Sequence, residues 1–359
     1  MDSLYSRATS FVNNWKEPST AGENGSRISV VVPIYRPYHL PRFIQHLMEI
    51  GGIYEIVLVD DSGDRDEKRF NFTWGQFLAP LESIPKHITP GIPCSLAAGN
   101  TINIGCIPNV TILRHEKNFG RPAARNTGAV RATGDILAFV DQDMFIAPDF
   151  LHKARSILAA NGGHAVALGL RDTVQYTDIP HASSWINLEP SRDWRRKVVI
   201  TESFVDLSVS GAGSPWNKCR PGQTLSIYED TDELRNLGVA PEYTLGFWDL
   251  PSMVVSHSMA LSRDDFFKIG GFPEWIVGWG GEDTVIGFLA AASGIPIVLT
   301  DSISYQARHA PYSGSKALKF AEHAANITKY RDWARNTSRF PTIDQTNCVA
   351  RSQCLHTGT

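Results

Sequence analysis

Two aspartates one residue apart, Asp141 and Asp143, follow the hydrophobic run Ile136–Val140. A carboxylate at the end of a buried strand is costly to desolvate unless a cation meets it. Carboxylate oxygens are the ligands that hard divalent cations such as Mg²⁺ and Mn²⁺ prefer. Acidic residues also begin ordinary turns, so this pair by itself leaves both a metal site and a simple turn open.

The sequence GWGGED at residues 278–283 is the second stretch with chemical potential. Its glycines let the backbone approach a ligand closely, and Trp279 offers a flat face on which a sugar ring can pack. Glu282 and Asp283 precede a helix predicted at residues 284–292, where carboxylates favour the helix dipole. A purely structural acidic pair is the alternative, but the Gly-Trp-Gly-Gly lead-in favours a functional loop.

The elements that must position these acids alternate along the first half of the chain. Continuous apolar runs, typical of strands buried on both faces of a parallel sheet, predict strands at residues 28–34, 54–59, 110–113, 136–140 and 164–169. Helical spacing of apolar residues predicts helices at 39–50, 122–132 and 149–159. This alternation predicts an α/β fold with a mostly parallel, doubly wound sheet that binds its ligand at the carboxyl ends of the strands.

No G-x-G-x-x-G follows the first strand and no G-x-x-x-x-G-K-S/T occurs, which disfavours a Rossmann dehydrogenase and a P-loop NTPase. The alternation stops at residues 171–251, which are rich in Trp, Pro, Ser and charge. We interpret this segment either as an acceptor groove or as a surface loop held by tryptophan anchors; its candidate residues are Trp185, Trp194, Arg195, Arg196 and Trp216. Further strands are predicted at 253–261 and 295–299, and helices at 263–269 and 315–333, before a polar and loosely held tail.

Composition excludes some classes of protein. With 42% hydrophobic and 20% charged residues the chain is an ordinary globular protein, and its net charge of −3 provides no basic field for nucleic acid. No apolar run approaches the ~20 residues that span a bilayer, and residues 1–26 form a polar lead-in without the apolar core of a secretory signal. The five cysteines form no C-x-x-C pair, so we expect free thiols in a cytoplasmic protein, although Cys94 with Cys106 or Cys348 with Cys354 are close enough in sequence to pair.

Five motifs in this order resemble the family 2 glycosyltransferases of the GT-A fold. They are SVVVPIYRP at 29–37, LVDDSGD at 58–64, NFGRPAARNTG at 118–128, FVDQDM at 139–144, and IGGFPEW with GWGGED between 269 and 283. The last is also similar to the C-terminal motif of β-1,4-galactosyltransferases and bacterial chondroitin-polymerase-type enzymes. The resemblance implies a single GT-A catalytic domain at residues 27–312, with an acceptor-side insertion at 171–251 and a C-terminal helix and tail at 313–359. It also implies transfer of a sugar from a UDP-sugar with inversion.

On the donor side, the resemblance places Pro33 and Tyr35 near the base and ribose, and makes Asp61 the acceptor of the uracil imide N–H. Asp60 is then structural. Arg121 and Arg125 lie one helical turn apart and either contact the donor phosphate or ribose or form a solvated basic face.

The resemblance makes Asp141-Gln142-Asp143 the D-x-D motif, in which Mn²⁺ or Mg²⁺ bridges the donor diphosphate and Gln142 lies on the donor side. His309 is the implied third ligand, and an imidazole beside carboxylates favours Mn²⁺.

Asp283 matches the family's catalytic base, which takes the proton of the acceptor nucleophile. Glu282 then orients the acceptor or a donor-sugar hydroxyl, and Trp279, Gly280 and Gly281 pack against the sugar. Retaining GalNAc-transferases have a similar Trp-Gly-Gly-Glu segment followed by a different residue, so Asp283 is the main reason to expect inversion. The alternatives are a retaining GT-A transferase, a nucleotidyltransferase, or an inactive nucleotide-sugar-binding protein; the sequence names neither the sugar nor the acceptor.

Overall fold

The computed structural model describes residues 26–35, 39–63, 94–95, 101–102, 109–185, 225–226, 247–248, 254–307 and 316–357. In chain order its strands are β1 (Ile28–Ile34), β2 (Glu55–Asp60), β3 (Cys94–Ser95), β4 (Thr101–Ile102), β5 (Asn109–His115), β6 (Ile136–Val140), β7 (Met144–Phe145), β8 (Val166–Val174), β9 (Leu225–Ser226), β10 (Phe247–Trp248), β11 (Ser258–Ser262), β12 (Ile297–Ala307) and β13 (Ser352–Thr357). Its helices are α1 (Leu40–Ile50), α2 (Arg121–Arg131), α3 (Phe150–Ala160), α4 (Arg263–Lys268), α5 (Glu282–Ala292), α6 (Lys316–Asn336) and α7 (Gln345–Ala350).

Within these residues nine strands form one sheet in the order β13-β5-β2-β1-β6-β11-β8-β12-β7. The strands β5, β2, β1 and β6 are parallel, as the alternation predicts, and β8 is parallel to β12. Strand β11 lies antiparallel between β6 and β8. The predicted α/β fold class is therefore confirmed, with antiparallel strands added to the parallel half.

The parallel register brings the polar strand ends together. Ile34 of β1 lies opposite Asp60 of β2, so Tyr35 and Asp61 follow at the same edge. Strand β6 is also parallel to β1 and ends at Val140, which places Asp141 at that edge as well. Ligand sites of doubly wound sheets lie at this edge.

Helix α2 approaches the sheet closely because Gly128 lacks a side chain. A Cβ at Gly128 would lie 2.4 Å from Val31 Cγ1, a distance that real contacts do not reach. Pro122 occupies the first turn of α2, where the missing amide proton costs nothing. The close packing sets the height at which α2 presents Arg121 and Arg125 at the edge of the sheet.

The prediction of a loosely held tail is wrong. Strand β13 pairs antiparallel with β5 at the edge of the sheet, and α7 lies just before it. Strand β13 is itself the outermost strand of the sheet. Its sequence can be polar because an edge strand does not need apolar residues on both faces. Cys348 is buried and Cys354 is exposed, and both are free thiols, as expected of unpaired cysteines; Cys106 and Cys219 lie outside the described residues.

The predicted strand at 295–299 is much longer in the structure, because β12 continues its pairing with β8 to Ala307. No helix in the described part of the chain combines the length and apolar character that a membrane span requires.

Candidate active site

Arg125 lies at the centre of the two acidic motifs. Its side chain is fully buried, and Nη2 donates to Asp141 Oδ1 at 2.7 Å. Its Nη1 is 3.5 Å from Glu282 Oε1 and 3.5 Å from Asp283 Oδ1. Arg121, one turn earlier, places Nη2 3.3 Å from Glu282 Oε1. The burial excludes a solvated basic face for Arg125, while a contact of either arginine with a donor stays a prediction.

The guanidinium groups of Arg121 and Arg125 affect the pKa values of the three acids differently. Burial by itself would raise the pKa of Asp141 and of Glu282, but the charges of Arg125 and Arg121 outweigh it and lower both pKa values. Asp283 behaves in the opposite way: burial and the neighbouring charge of Glu282 raise its pKa to about 6, and Arg125 offsets them only in part. Asp283 also accepts a hydrogen bond from the buried Ser256 hydroxyl. The site therefore contains one carboxylate with an elevated proton affinity.

The second aspartate of the D-x-D motif is held from β12. Gln306 Nε2 donates to Asp143 Oδ2 at 2.8 Å, and Arg171 Nη1 donates to Gln306 Oε1 at 3.2 Å. Burial raises the pKa of Asp141, and the charge of Arg171 adds to those of Arg125 and Arg121 in lowering it. Asp143 thus has a fixed orientation beside Asp141 at the end of β6.

The donor set at this edge fits a hard cation in type, because it consists of two carboxylates whose first member is kept ionised by arginines. Among the described residues no group of three or more His, Cys, Asp and Glu side chains is arranged to hold a metal ion. The predicted third ligand, His309, lies outside the described residues. A complete metal centre therefore stays a prediction.

The predicted nucleotide end is organised by side chains that bind backbone groups. The Gln142 amide exchanges two hydrogen bonds with the backbone of Tyr35, accepting from its N–H at 3.0 Å and donating to its carbonyl at 2.6 Å. Pro33 is buried within β1, opposite Val59, whereas the Tyr35 side chain is exposed. Gln142 therefore fixes the end of β1 against the D-x-D motif.

Asp61 is buried and holds the turn that begins α2. Its Oδ1 accepts from the Phe119 N–H at 2.8 Å and its Oδ2 from the Gly120 N–H at 2.8 Å. Asp60, predicted to be structural, accepts from the Ser62 N–H and hydroxyl and forms an ion pair with Arg114 at 3.1 Å. The two adjacent aspartates therefore do different work, and a role for Asp61 towards uracil stays a prediction.

The GWGGED loop rests on helix α6, a support that sequence reasoning missed. Asn326 Nδ2 donates to the carbonyls of Val277 at 3.2 Å and Gly280 at 2.8 Å, and Glu322 accepts from the Trp279 N–H at 2.9 Å. Gly280 has a φ of +81°, and a Cβ there would lie 2.6 Å from His323 Nδ1. Glycine is thus required both by the backbone conformation and by the proximity of α6.

Trp279 is 38% exposed, so part of its ring is accessible to a ligand. Lys319 Nζ lies 5.4 Å from the ring centroid and the His323 ring lies 5.8 Å from it. Both neighbours come from α6. The C-terminal helix, predicted only as an amphipathic extension, therefore lines the surroundings of the tryptophan.

The structure places Trp185 as an anchor. Its Nε1 donates to the Ile303 carbonyl at 3.3 Å and its ring lies 4.8 Å from that of Tyr305. These contacts support the surface-loop interpretation for this residue. Trp194, Arg195, Arg196 and Trp216 lie outside the described residues.

Three further side chains in the site were not found from the sequence: Ser256, Gln306 and Arg171. Gln306 is the first residue of QARHAP, the stretch that also contains His309. The position of this stretch after the last predicted strand could therefore have identified Gln306 as well. Ser256 and Arg171 have no local pattern that distinguishes them from other polar residues.

Two family models match separate segments of the chain. Residues 105–204 match "Glycosyl transferase family 2", and residues 252–302 match "N-terminal domain of galactosyltransferase". Residues 105–204 are thus similar to family 2 glycosyltransferases. The predicted resemblance is thereby confirmed, and both acidic motifs fall within the matched residues.

Curated relatives are the validoxylamine A glucosyltransferases of Streptomyces hygroscopicus subsp. jinggangensis (strain 5008) and of subsp. limoneus. Each is 27% identical over 203 residues, which is 55% of this chain and 42% or 39% of the relative. The chain thus matches less than half of the length of these relatives. Among solved structures, that of GalNAc-T7 with UDP, GalNAc and Mn²⁺ has a TM-score of 0.53 at 17% identity and covers 86% of this chain and 48% of its own. This likeness confirms the predicted GT-A fold.

Proposed function

We propose that the protein is a metal-dependent, inverting glycosyltransferase that moves a sugar from a UDP-sugar to an acceptor by single displacement. The observation that carries the proposal is the shared Arg125, which holds the D-x-D carboxylate Asp141 at 2.7 Å and lies 3.5 Å from Asp283. A carboxylate with a pKa of about 6 is ionised at neutral pH and still binds a proton well, which is the property of a general base.

The relatives support the class of reaction. The curated relatives are named as glucosyltransferases, and the solved GalNAc-T7 structure contains UDP, a sugar and Mn²⁺. For this chain we propose the same classes of ligand: a uridine diphosphate sugar and Mn²⁺, or Mg²⁺ in its place. The sugar and the acceptor are left to experiment.

Asp283 would take the proton from the acceptor hydroxyl as the oxygen attacks the anomeric carbon opposite the leaving diphosphate. The Ser256 hydroxyl and Arg125 hold the carboxylate, so the base does not need to reorganise during the reaction. Because this mechanism uses a single base and no covalent intermediate, the anomeric configuration is inverted.

Glu282 forms ion pairs with both Arg121 and Arg125. It therefore holds the two guanidinium groups in place. We propose that Arg121, whose side chain is 39% exposed, reaches the donor, whereas the buried Arg125 acts on the two aspartates. Trp279, Gly280 and Gly281 would provide the surface against which the sugar packs.

Asp141, Asp143 and His309 would hold the divalent cation, with Gln306 orienting Asp143. When bound, the cation would neutralise the charge that develops on the departing UDP. On the other side of the site, Asp61 would accept from the imide N–H of the uracil, with Pro33 and Tyr35 near the base and ribose.

The test is incubation with a panel of UDP-sugars and Mn²⁺, measuring UDP release by slow donor hydrolysis and then transfer to candidate acceptors. We expect release that depends on the cation, is abolished in Asp143→Ala and is retained in the exposed control Asp149→Asn. NMR of the product would show inversion at the anomeric carbon. Retention would refute the mechanism, binding without turnover would favour an inactive binding protein, and no binding of any nucleotide sugar would refute the proposal.

A further inference from the structure

A chain of buried polar side chains connects the C-terminal segment to Asp61. Arg351 Nε donates to Thr127 Oγ1 at 3.1 Å. His115 joins Thr127 Oγ1 through Nε2 at 3.0 Å and Asp61 Oδ1 through Nδ1 at 2.8 Å. All four side chains are buried, so each polar atom depends on its partner rather than on water.

The direction of the hydrogen bonds follows from what each group can donate. Arginine has donors only, so Thr127 Oγ1 accepts from Arg351 and its own proton is available to His115 Nε2. In the tautomer with its proton on Nδ1, His115 donates to Asp61 and accepts the Thr127 proton at Nε2. One tautomer thus satisfies the whole chain, which we name the Arg351–Asp61 relay.

The relay acts on the residue that begins α2. Asp61 also accepts from the Phe119 and Gly120 amides, so fixing its carboxylate fixes the turn before Arg121. Among the described contacts Oδ2 accepts from the Gly120 N–H alone. Since a carboxylate oxygen has two lone pairs, Oδ2 has capacity left to accept from a ligand.

Arg351 also contacts the segment that leads into the GWGGED loop. Its Nη1 and Nη2 donate to the two oxygens of Glu274 at 2.6 and 2.8 Å, and Glu274 Oε1 accepts from Asn126 Nδ2 at 2.9 Å. Glu274 lies just before the GWGGED loop. The buried Arg351 therefore contacts Thr127, on the way to Asp61, and Glu274, just before the GWGGED loop.

The approach to Arg351 is itself tightly packed. Gly270 and Gly271 have φ values of +87° and +64°, and a Cβ would lie 2.1 Å from the Pro341 carbonyl oxygen and 2.4 Å from Ile343 Cδ1, respectively. These glycines therefore do more than end α4. They also let residues 341–343 pack directly against the backbone at residues 270–271. The tail is thus part of the packed structure of the site.

We propose that the C-terminal residues 341–357 belong to the donor site, with Arg351, Thr127 and His115 as positioning residues that set Asp61 to accept a hydrogen bond from the base of a nucleoside diphosphate. The identity of that ligand rests on the proposed function. None of the three residues touches the ligand in this proposal; they act through Asp61.

The experiment compares Thr127→Val, which keeps the shape but removes the hydroxyl, with Thr127→Ser, which keeps the hydroxyl. Thr328→Val, at an exposed threonine of α6, is the matched control. The dissociation constant of UDP with Mn²⁺ is measured by calorimetry, and hydrogen exchange of the Phe119 and Gly120 amides by NMR. We expect Thr127→Val to weaken UDP binding by about five- to thirtyfold, the effect of one lost buried hydrogen bond, and to speed exchange of both amides.

Thr127→Ser and Thr328→Val should bind UDP like the wild type, and kcat at saturating donor should change little in all three variants. If folded Thr127→Val binds UDP like the wild type and differs only in melting temperature, the relay is merely structural and the proposal is wrong. Should Thr127→Val not fold, Arg351→Lys, which keeps the charge beside Glu274 but removes the Nε donor, is measured in its place with the same expectation.

Failure of the wild type to bind UDP would refute the proposed function and the ligand assigned to the relay. The amide exchange separates the two results, because it reports whether Thr127 positions Asp61 in the absence of any ligand. Unchanged exchange at Phe119 and Gly120 in Thr127→Val would overturn the relay itself.

Discussion

Replacing Asp283 by asparagine should abolish transfer and at the same time stabilise the protein at neutral pH. The carboxyl lies among buried groups, beside Glu282, and burial together with that negative charge raises its pKa from 3.8 to about 6. Ionising it in the folded protein therefore costs free energy that the unfolded chain does not incur. Asparagine keeps the size and can still accept from the Ser256 hydroxyl, but it carries no charge.

The magnitude follows from the shift in pKa. A rise from 3.8 to about 6 corresponds to about 3 kcal/mol of unfolding free energy lost above pH 6, at about 1.4 kcal/mol per unit of pKa. Because the Asp283 side chain is 23% exposed, solvent screens part of this, and we expect a gain of about 1–3 kcal/mol for Asp283→Asn. The sign depends on pH: the folded wild type binds the extra proton between about pH 4 and pH 6, so its stability falls as the pH rises through that window.

The assay is urea unfolding of wild type and Asp283→Asn, free of metal and nucleotide, at about pH 7.5, above the window, and at about pH 4, its lower end. The stabilisation should be largest at the higher pH and mostly lost at the lower one, whereas the exposed control Asp149→Asn should show no such difference. Transfer by Asp283→Asn should fall by about a hundred- to ten-thousandfold. A variant that transfers sugar normally, or that is no more stable than wild type at the higher pH, would refute this account of Asp283.

Four further outcomes are expected. The kcat/KM of the wild type should rise with pH through about 6, the pKa of Asp283 in the free protein, and level off above it, because only the ionised carboxylate accepts the proton. Arg125→Met should lower the unfolding free energy by about 3–5 kcal/mol, since it leaves buried carboxylates without their partner, and a denaturation curve in urea measures this. Asn326→Ala removes two hydrogen bonds to the GWGGED loop and should raise the donor KM, because the sugar of the donor is proposed to pack on this loop, with Thr328→Ala as the control. His309→Ala should raise the Mn²⁺ concentration for half-maximal activity by at least about tenfold, and an unchanged metal requirement would remove His309 from the ligand set.

The strands of the parallel half could be predicted because their burial is recorded in their residue types. The runs at 28–34 and 136–140 are apolar on both faces, and both coincide with the observed strands. Strand β13 has no such run, since SQCLHT lies at the edge of the sheet and pairs only with β5. Its position is decided by contacts such as that of Arg351 with Glu274, which are distant in sequence and have no local pattern.

The acidic motifs of the site could be predicted for a related reason. Asp141 and Asp143 follow a buried strand, so parallel topology suffices to bring them to the edge where Asp61 lies. The GWGGED motif could be recognised from its composition at the start of a helix, but parallel topology does not place it, because β11, the strand before it, is antiparallel. The burial of Arg125 could not be predicted, because two arginines one turn apart read equally well as a solvated face. Only the closure of β6 and α5 around α2 reveals that this guanidinium is enclosed by carboxylates.

The unequal distances within this enclosure explain how similar acids acquire different chemistry. Arg125 donates to Asp141 at 2.7 Å but is 3.5 Å from Asp283, and Glu282 has Arg121 as a second partner. Asp141 and Glu282 are thereby stabilised as anions, whereas Asp283 receives the weakest compensation and the repulsion of Glu282. The proposed metal ligand Asp141 must be ionised, and the proposed general base Asp283 must retain affinity for a proton. One buried arginine, placed closer to Asp141 than to Asp283, meets both requirements.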